Sequence, residues 1–162
     1  MLTSRGTLEY DPNTYKNSDG KWWLILKCDE ELTAYYRSMI LKNYYYPTGS
    51  DSVFPSASGK WTLKCRGSIL NRSLWGSHVS VVRGEKPKIL NNWKKHYKEE
   101  VGFSFDPENI FCNGKHWWIN IESQYLIDIR RNLGLSDLPK TFDKETGSMV
   151  NVPLHLTIGT IA

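Results

Sequence analysis

The sequence predicts an α+β fold: two pseudo-symmetric lobes of mainly antiparallel sheet, with outer helices, around a central cleft. Three observations predict it. Strand-like and helix-like stretches alternate along 162 residues, a length that suits a single domain over 1–162. A Trp-rich strand pattern occurs twice, as Gly20-Lys21-Trp22-Trp23-Leu24-Ile25 and, with one residue inserted, as Gly114-Lys115-His116-Trp117-Trp118-Ile119. Each copy is followed by an acidic residue (Asp29 or Glu122), then a helical stretch, then a short strand carrying His-x-Ser/Thr. An order repeated at this length reads as two related units facing one another.

Taken in order, residues 1–19 are polar and turn-rich and are expected to form an N-terminal arm. Lys21 to Cys28 reads as a buried strand. Asp29 is a candidate N-cap for a helix reaching about Tyr45, with Leu32, Tyr35, Tyr36, Met39 and Ile40 at helical spacing. Pro47 to Gly59 is rich in Ser, Gly and Pro and reads as a loop, and Lys60 to Cys65 as a strand. His78 to Val82 is a short strand ended by Gly84-Glu85-Lys86-Pro87, with a helix expected from about Pro87 to Tyr97. Glu100 to Phe105 and Asn109 to Cys112 read as separate strands. Asn113-Gly114 then turns the chain into Lys115 to Glu122. A helix over Gln124 to Leu133 closes at Gly134, Ser136 to Asn151 reads as a mobile loop, and Leu154 to Ile158 as the last strand.

Composition narrows the function classes. With 40% apolar and 13% aromatic residues the chain is not disordered. A net charge of +4 favours an anionic ligand, whereas a long polyanion calls for a stronger, clustered basic stripe. Cys28, Cys65 and Cys112 form no CxxC pair, so a thiolate zinc site is not expected. Their odd number, with no signal-peptide pattern and no membrane-length apolar run, points to reduced thiols and a cytoplasmic location.

The chemistry is carried by His78-Val79-Ser80-Val81 and His155-Leu156-Thr157-Ile158, which share the pattern His, apolar, hydroxyl, apolar. Alternate residues of a strand face the same way. His78 with Ser80, and His155 with Thr157, therefore project from one face while their neighbours enter the core. Two imidazoles across a cleft suit phosphodiester cleavage, one accepting a proton and the other donating one. The two hydroxyls would bond the oxygens where charge develops. Trp75 and Tyr10 are candidates to stack on a base, and Arg83 to hold a phosphate. His96 reads as a solvated helix residue and His116 as structural. The four histidines show no i,i+4 or HxH metal spacing.

These paired motifs resemble those of the 2H phosphoesterase superfamily, in which two related lobes each give a His-hydrophobic-Ser/Thr-hydrophobic strand to a groove. The resemblance covers most of the chain after Gly20, and implies that His78, Ser80, His155 and Thr157 are catalytic, with no cofactor and no metal. Within that superfamily, Ser77 to Glu85 and Pro153 to Gly159 look like the phage anti-CBASS phosphodiesterases, which degrade cyclic di- and trinucleotide immune signals. That likeness implies a cyclic nucleotide or another RNA-type phosphate ester as partner, no membrane and no obligate protein partner, and the cytoplasm of a bacterial host. Two other readings stay open: an RNA 2′,3′-cyclic phosphodiesterase using the same four residues, and a noncatalytic cyclic-nucleotide or RNA-binding sponge.

Overall fold

The computed structural model describes residues 1–12, 22–43, 53–55, 61–63, 70–113 and 115–161. Strand β1 (Leu2–Tyr10) leads to β2 (Trp23–Cys28), helix α1 (Glu30–Asn43), a small hairpin of β3 (Val53–Pro55) and β4 (Trp61–Leu63), the short β5 (Leu70–Asn71) and β6 (His78–Arg83). A second series follows: β7 (Glu100–Cys112), β8 (His116–Glu122), α2 (Gln124–Asn132), a hairpin of β9 (Lys140–Asp143) and β10 (Ser148–Asn151), and β11 (His155–Ile161). The main sheet runs β5-β11-β6-β2-β1-β7-β8, and a further β11–β8 pairing closes six of its strands into an antiparallel barrel. Among the described residues no helix is long and apolar enough to cross a membrane.

The two series share one plan. In each, a long strand pairs with the next strand, and that strand pairs with the histidine strand, always antiparallel. The halves join twice, through β1 with β7 and through β11 with β6. The second join is assigned at one pair, Leu156 with Val79, the residue after each histidine. The Trp pairs of the sequence repeat do not occupy equivalent places. Trp23 pairs with Arg83 where His116 pairs with Thr160, so Trp23 matches His116 and Leu24 matches Trp117.

Alternation builds the walls. On β8, Trp117, Ile119 and Ile121 are buried while His116, Trp118 and Asn120 face outward. Leu24, Leu26, Val79, Leu156 and Ile158 join them in one core with Tyr36 and Ile40 of α1 and Leu126 and Ile129 of α2. Helix α1 starts where Asp29 Oδ1 accepts the Glu31 N–H at 3.0 Å, with Glu30 and Glu31 favourable in the first turn. Helix α2 starts at Ser123, whose Oγ accepts from the Leu126 N–H, and ends before Gly134 at φ 75°.

Four expectations are corrected. The N-terminal arm is a strand over Leu2–Tyr10, inserted between β2 and β7, because Gly6, Leu8 and Tyr10 alternate inward; residues 13–19 lie outside the described residues. The helix expected over Pro87 to Tyr97 is a single 3-10 turn at Leu90–Asn92. Trp93 is extended there, and Lys94 and Lys98 take φ of 68° and 63°. Tertiary bonds hold this path, Lys88 N–H to the Leu133 carbonyl and Lys98 N–H to the Leu8 carbonyl among them. The strands expected over Glu100 to Phe105 and Asn109 to Cys112 are one strand, with the irregularity between Phe105 and Ile110 that contains Pro107. The loop expected over Ser136 to Asn151 contains the β9–β10 hairpin. Asp143 closes its turn by accepting from the Glu145 N–H, the Thr146 hydroxyl and the Gly147 N–H. The expectations for Pro47 to Gly59, for Cys65 and for the stretch from Tyr44 to Tyr46 fall wholly or mostly outside the described residues.

Candidate active site

His78, Ser80, His155 and Thr157 open onto one cleft of about 940 Å³. Their strands meet at Val79 and Leu156, so the antiparallel register turns His78 toward Thr157 and Ser80 toward His155. Val79, Val81, Leu156 and Ile158 are buried on the opposite face, as the motif requires.

The chain approaches both histidines in the same way. His78 Nδ1 lies 3.0 Å from the Gly76 carbonyl, and His155 Nδ1 lies 3.0 Å from the Pro153 carbonyl. A carbonyl oxygen only accepts, so each Nδ1 carries a proton and each neutral ring keeps its lone pair on Nε2. The backbone bond just before each histidine matches too. Cys28 N–H donates to the Ser77 carbonyl, and Ile121 N–H to the Leu154 carbonyl, both at 2.8 Å.

Beyond the hydroxyls, each histidine strand slips its register at the same place. Ile25 pairs with Ser80 but Leu24 with Val82; Trp118 pairs with Thr157 but Trp117 with Gly159. Val81 and Ile158 are the extra residues. A bulge re-aims the side chains beyond it. Arg83 and Thr160 therefore return to the histidine face, and both line the cleft. Gly159 has no alternative, since a Cβ there would stand 2.6 Å from Leu70 Cγ and 2.8 Å from the Asn71 carbonyl.

The carbonyl of each bulged residue is held by an arginine from the other half. Arg37 Nη1 on α1 donates to the Ile158 carbonyl at 3.0 Å, and Arg130 Nη1 on α2 donates to the Val81 carbonyl at 2.7 Å. Arg130 is fully buried and also donates twice to the Glu85 carboxylate and once to the Ser136 carbonyl. Glu85 is thus engaged.

Electrostatically the cleft is cationic. Arg72, Arg83, Lys115 and Lys140 line it, and among the described residues Glu85 is the one carboxylate in its lining. Burial pushes the pKa of both His78 and His155 below the usual imidazole value, and the charge of Arg83 adds to the effect on each; only the carbonyl bonds, and Glu30 in the case of His78, oppose it. Burial and the Arg83 charge both favour the neutral form of each ring. Among the described residues no three His, Cys, Asp or Glu side chains gather as a metal cluster.

Of the other candidates, Trp75 lines the cleft and meets Trp23 edge-on at 5.1 Å, while Trp23 stands 6.2 Å from His78. Arg83 lies over the Trp23 ring at 5.6 Å. Tyr10 is corrected: it is a buried residue of β1, edge-on to Trp93 at 4.8 Å, with its hydroxyl accepting the His96 N–H. It cannot stack on a ligand in the cleft, because its alternation with Leu8 turns it into the core. His116, read as structural, lines the cleft. His96 lies in a turn beside Glu99 at 2.9 Å. Arg37, Arg130 and Thr160 escape sequence reading. The paired residues Val81-Val82 and Ile158-Gly159 after each hydroxyl are the trace that a bulge leaves.

No protein-family model matches the chain, and no curated protein or solved structure matches it.

Proposed function

We propose that this protein is a metal-independent phosphodiesterase of the 2H phosphoesterase kind, a phage counter-defence enzyme that opens cyclic di- or trinucleotide immune signals. One observation carries the reading: two histidines with the same Nδ1–carbonyl bond, each followed by a hydroxyl two residues on, set diagonally about the Val79–Leu156 pair in a cationic cleft. The two-lobed arrangement of that superfamily is supported by the shared strand order and the shared bulges of the two halves.

The geometry gives each group a task. An entering phosphodiester places its negative charge beside Arg83 and both imidazoles, which raises their pKa and lets one ring take up a proton. The neutral ring accepts the proton of the ribose 2′-hydroxyl on its Nε2, and the 2′-oxygen forms a bond to phosphorus. The bond from phosphorus to the 5′-oxygen breaks, and the imidazolium gives that oxygen its proton. Ser80 and Thr157 donate to the nonbridging oxygens as charge builds. The products are a 2′,3′-cyclic phosphate end and a free 5′-hydroxyl; with the proton roles reversed, water can open the cyclic phosphate.

Incubation in EDTA with cyclic GMP–AMP, a cyclic triadenylate and an RNA ending in 2′,3′-cyclic phosphate tests this. Wild type is expected to cleave a cyclic oligonucleotide, and His78→Ala and His155→Ala to lose about 10²–10⁴-fold each. Replacing the attacking 2′-hydroxyl by hydrogen is expected to stop cleavage. Preference for the RNA end moves the assignment to RNA processing. Tight binding without product identifies a sponge.

A further inference from the structure

The two ends of the cleft are equivalent in topology and unlike in chemistry. Where β2 and β6 present Trp23 opposite Arg83, β8 and β11 present His116 opposite Thr160. The first end is aromatic and cationic: Arg83 and Trp75 line it, Arg83 over the ring of the buried Trp23 and Trp75 edge-on to it. The second is small and rich in hydrogen-bonding groups: His116 Nδ1 lies 3.3 Å from Thr160 Oγ1, and Lys115 lines the cleft beside them.

We infer that Lys115, His116 and Thr160 form a second anion subsite, taking a phosphate group of the ligand other than the one held between His78 and His155. The inference rests on the proposed function for what occupies the first position. The hydrogen-bond chemistry favours it. At His78 and His155 a carbonyl fixes the ring proton, whereas His116 faces a hydroxyl that both donates and accepts. If Thr160 donates to Nδ1, His116 offers Nε2–H to the cleft; if His116 donates, the Thr160 proton is free. Either way the pair presents one donor, and Lys115 adds a charge. The carboxylate lining the cleft, Glu85, is already bonded twice by Arg130 and does not compete.

Reach agrees with this. Thr160 stands three residues beyond Thr157 on a bulged strand, about 10 Å at most. A group one nucleotide away from the reacting phosphate arrives there. The subsite therefore selects ligands with two phosphates one nucleotide apart over nucleoside 2′,3′-cyclic monophosphates. It also orients them, since the opposite end of the cleft is aromatic.

The test uses two probes that cannot react, the dinucleotide dGpA with and without a 5′-phosphate, titrated into wild type and into a Lys115→Ala/His116→Ala double variant. Wild type is expected to bind the 5′-phosphorylated probe about tenfold more tightly, the worth of a charge-assisted hydrogen bond. The double variant is expected to bind the two probes alike. If wild type binds both equally, or the variant loses both by one factor, the subsite falls and the catalytic reading stands. If wild type binds neither probe, both fall together.

Discussion

His78 and His155 occupy equivalent places in the two halves of one barrel, yet the material that holds them differs. Before His78 the chain turns at Gly76, whose φ of 73° suits glycine, and Glu30 Oε1 accepts the Ser77 N–H at 2.8 Å. Before His155 the same carbonyl is presented by Pro153. The first residue of α2, at the place Glu30 holds in α1, is the amide Gln124, which donates to Asp128 instead. The bulge beyond Ser80 is clamped by the buried Arg130, which also grips Glu85 and Ser136, and the bulge beyond Thr157 by the half-buried Arg37. The two halves thus present matching groups to the cleft on differing supports. More than one scaffold supplies the same position.

Whether the halves contribute equally is answered first by Ser80→Ala and Thr157→Val. Each is expected to lower kcat about 10²-fold with KM little changed, as for loss of one donor to a developing charge. Steady-state kinetics showing a loss at only one of them would make the cleft one-sided.

The clamps should separate next. Arg130→Met leaves Glu85, the Val81 carbonyl and the Ser136 carbonyl without their buried donor, and is expected to cost about 3 kcal/mol, Glu85 being partly exposed. Arg37→Met removes one charged hydrogen bond, about 1.5 kcal/mol. Urea denaturation measures both, and equal costs would show that the halves are braced alike.

A smaller contrast lies in the approach turns. Gly76→Ala forces a left-handed backbone on alanine and drives a Cβ onto the Glu30 carboxylate, so about 1–2 kcal/mol is expected. Pro153→Ala keeps the carbonyl and should stay within about 0.5 kcal/mol.

The mildest effect is on pH. Both histidines have folded pKa values below the unfolded one, so the unfolded chain takes up protons first as pH falls through about 6.5. Stability is therefore full above that pH and declines below it. A His78→Gln/His155→Gln variant should show a shallower decline between about pH 7.5 and 5.5 by thermal melting. An unchanged slope would place the titration elsewhere.

The sequence by itself determined the α+β class, the helix caps at Asp29 and Gly134, the turn at Asn113, and the four polar residues of the paired motifs. Each of these is a local matter of period, cap chemistry or side-chain alternation. Even the repeat was legible as an order of elements, although its Trp pairs suggested a register that the strands do not adopt. Only the tertiary structure decided the rest. Residues 2–10 form a strand because β2 and β7 flank them, and Tyr10 is buried for that reason. The stretch after Pro87 leaves the helix because Leu133 and Leu8 bind its backbone. Arg83 and Thr160 face the histidines through bulges that one strand cannot define, since a bulge exists only against a partner. Arg37 and Arg130 reach across to carbonyls of the opposite half, contacts between residues far apart in the chain that no local pattern encodes.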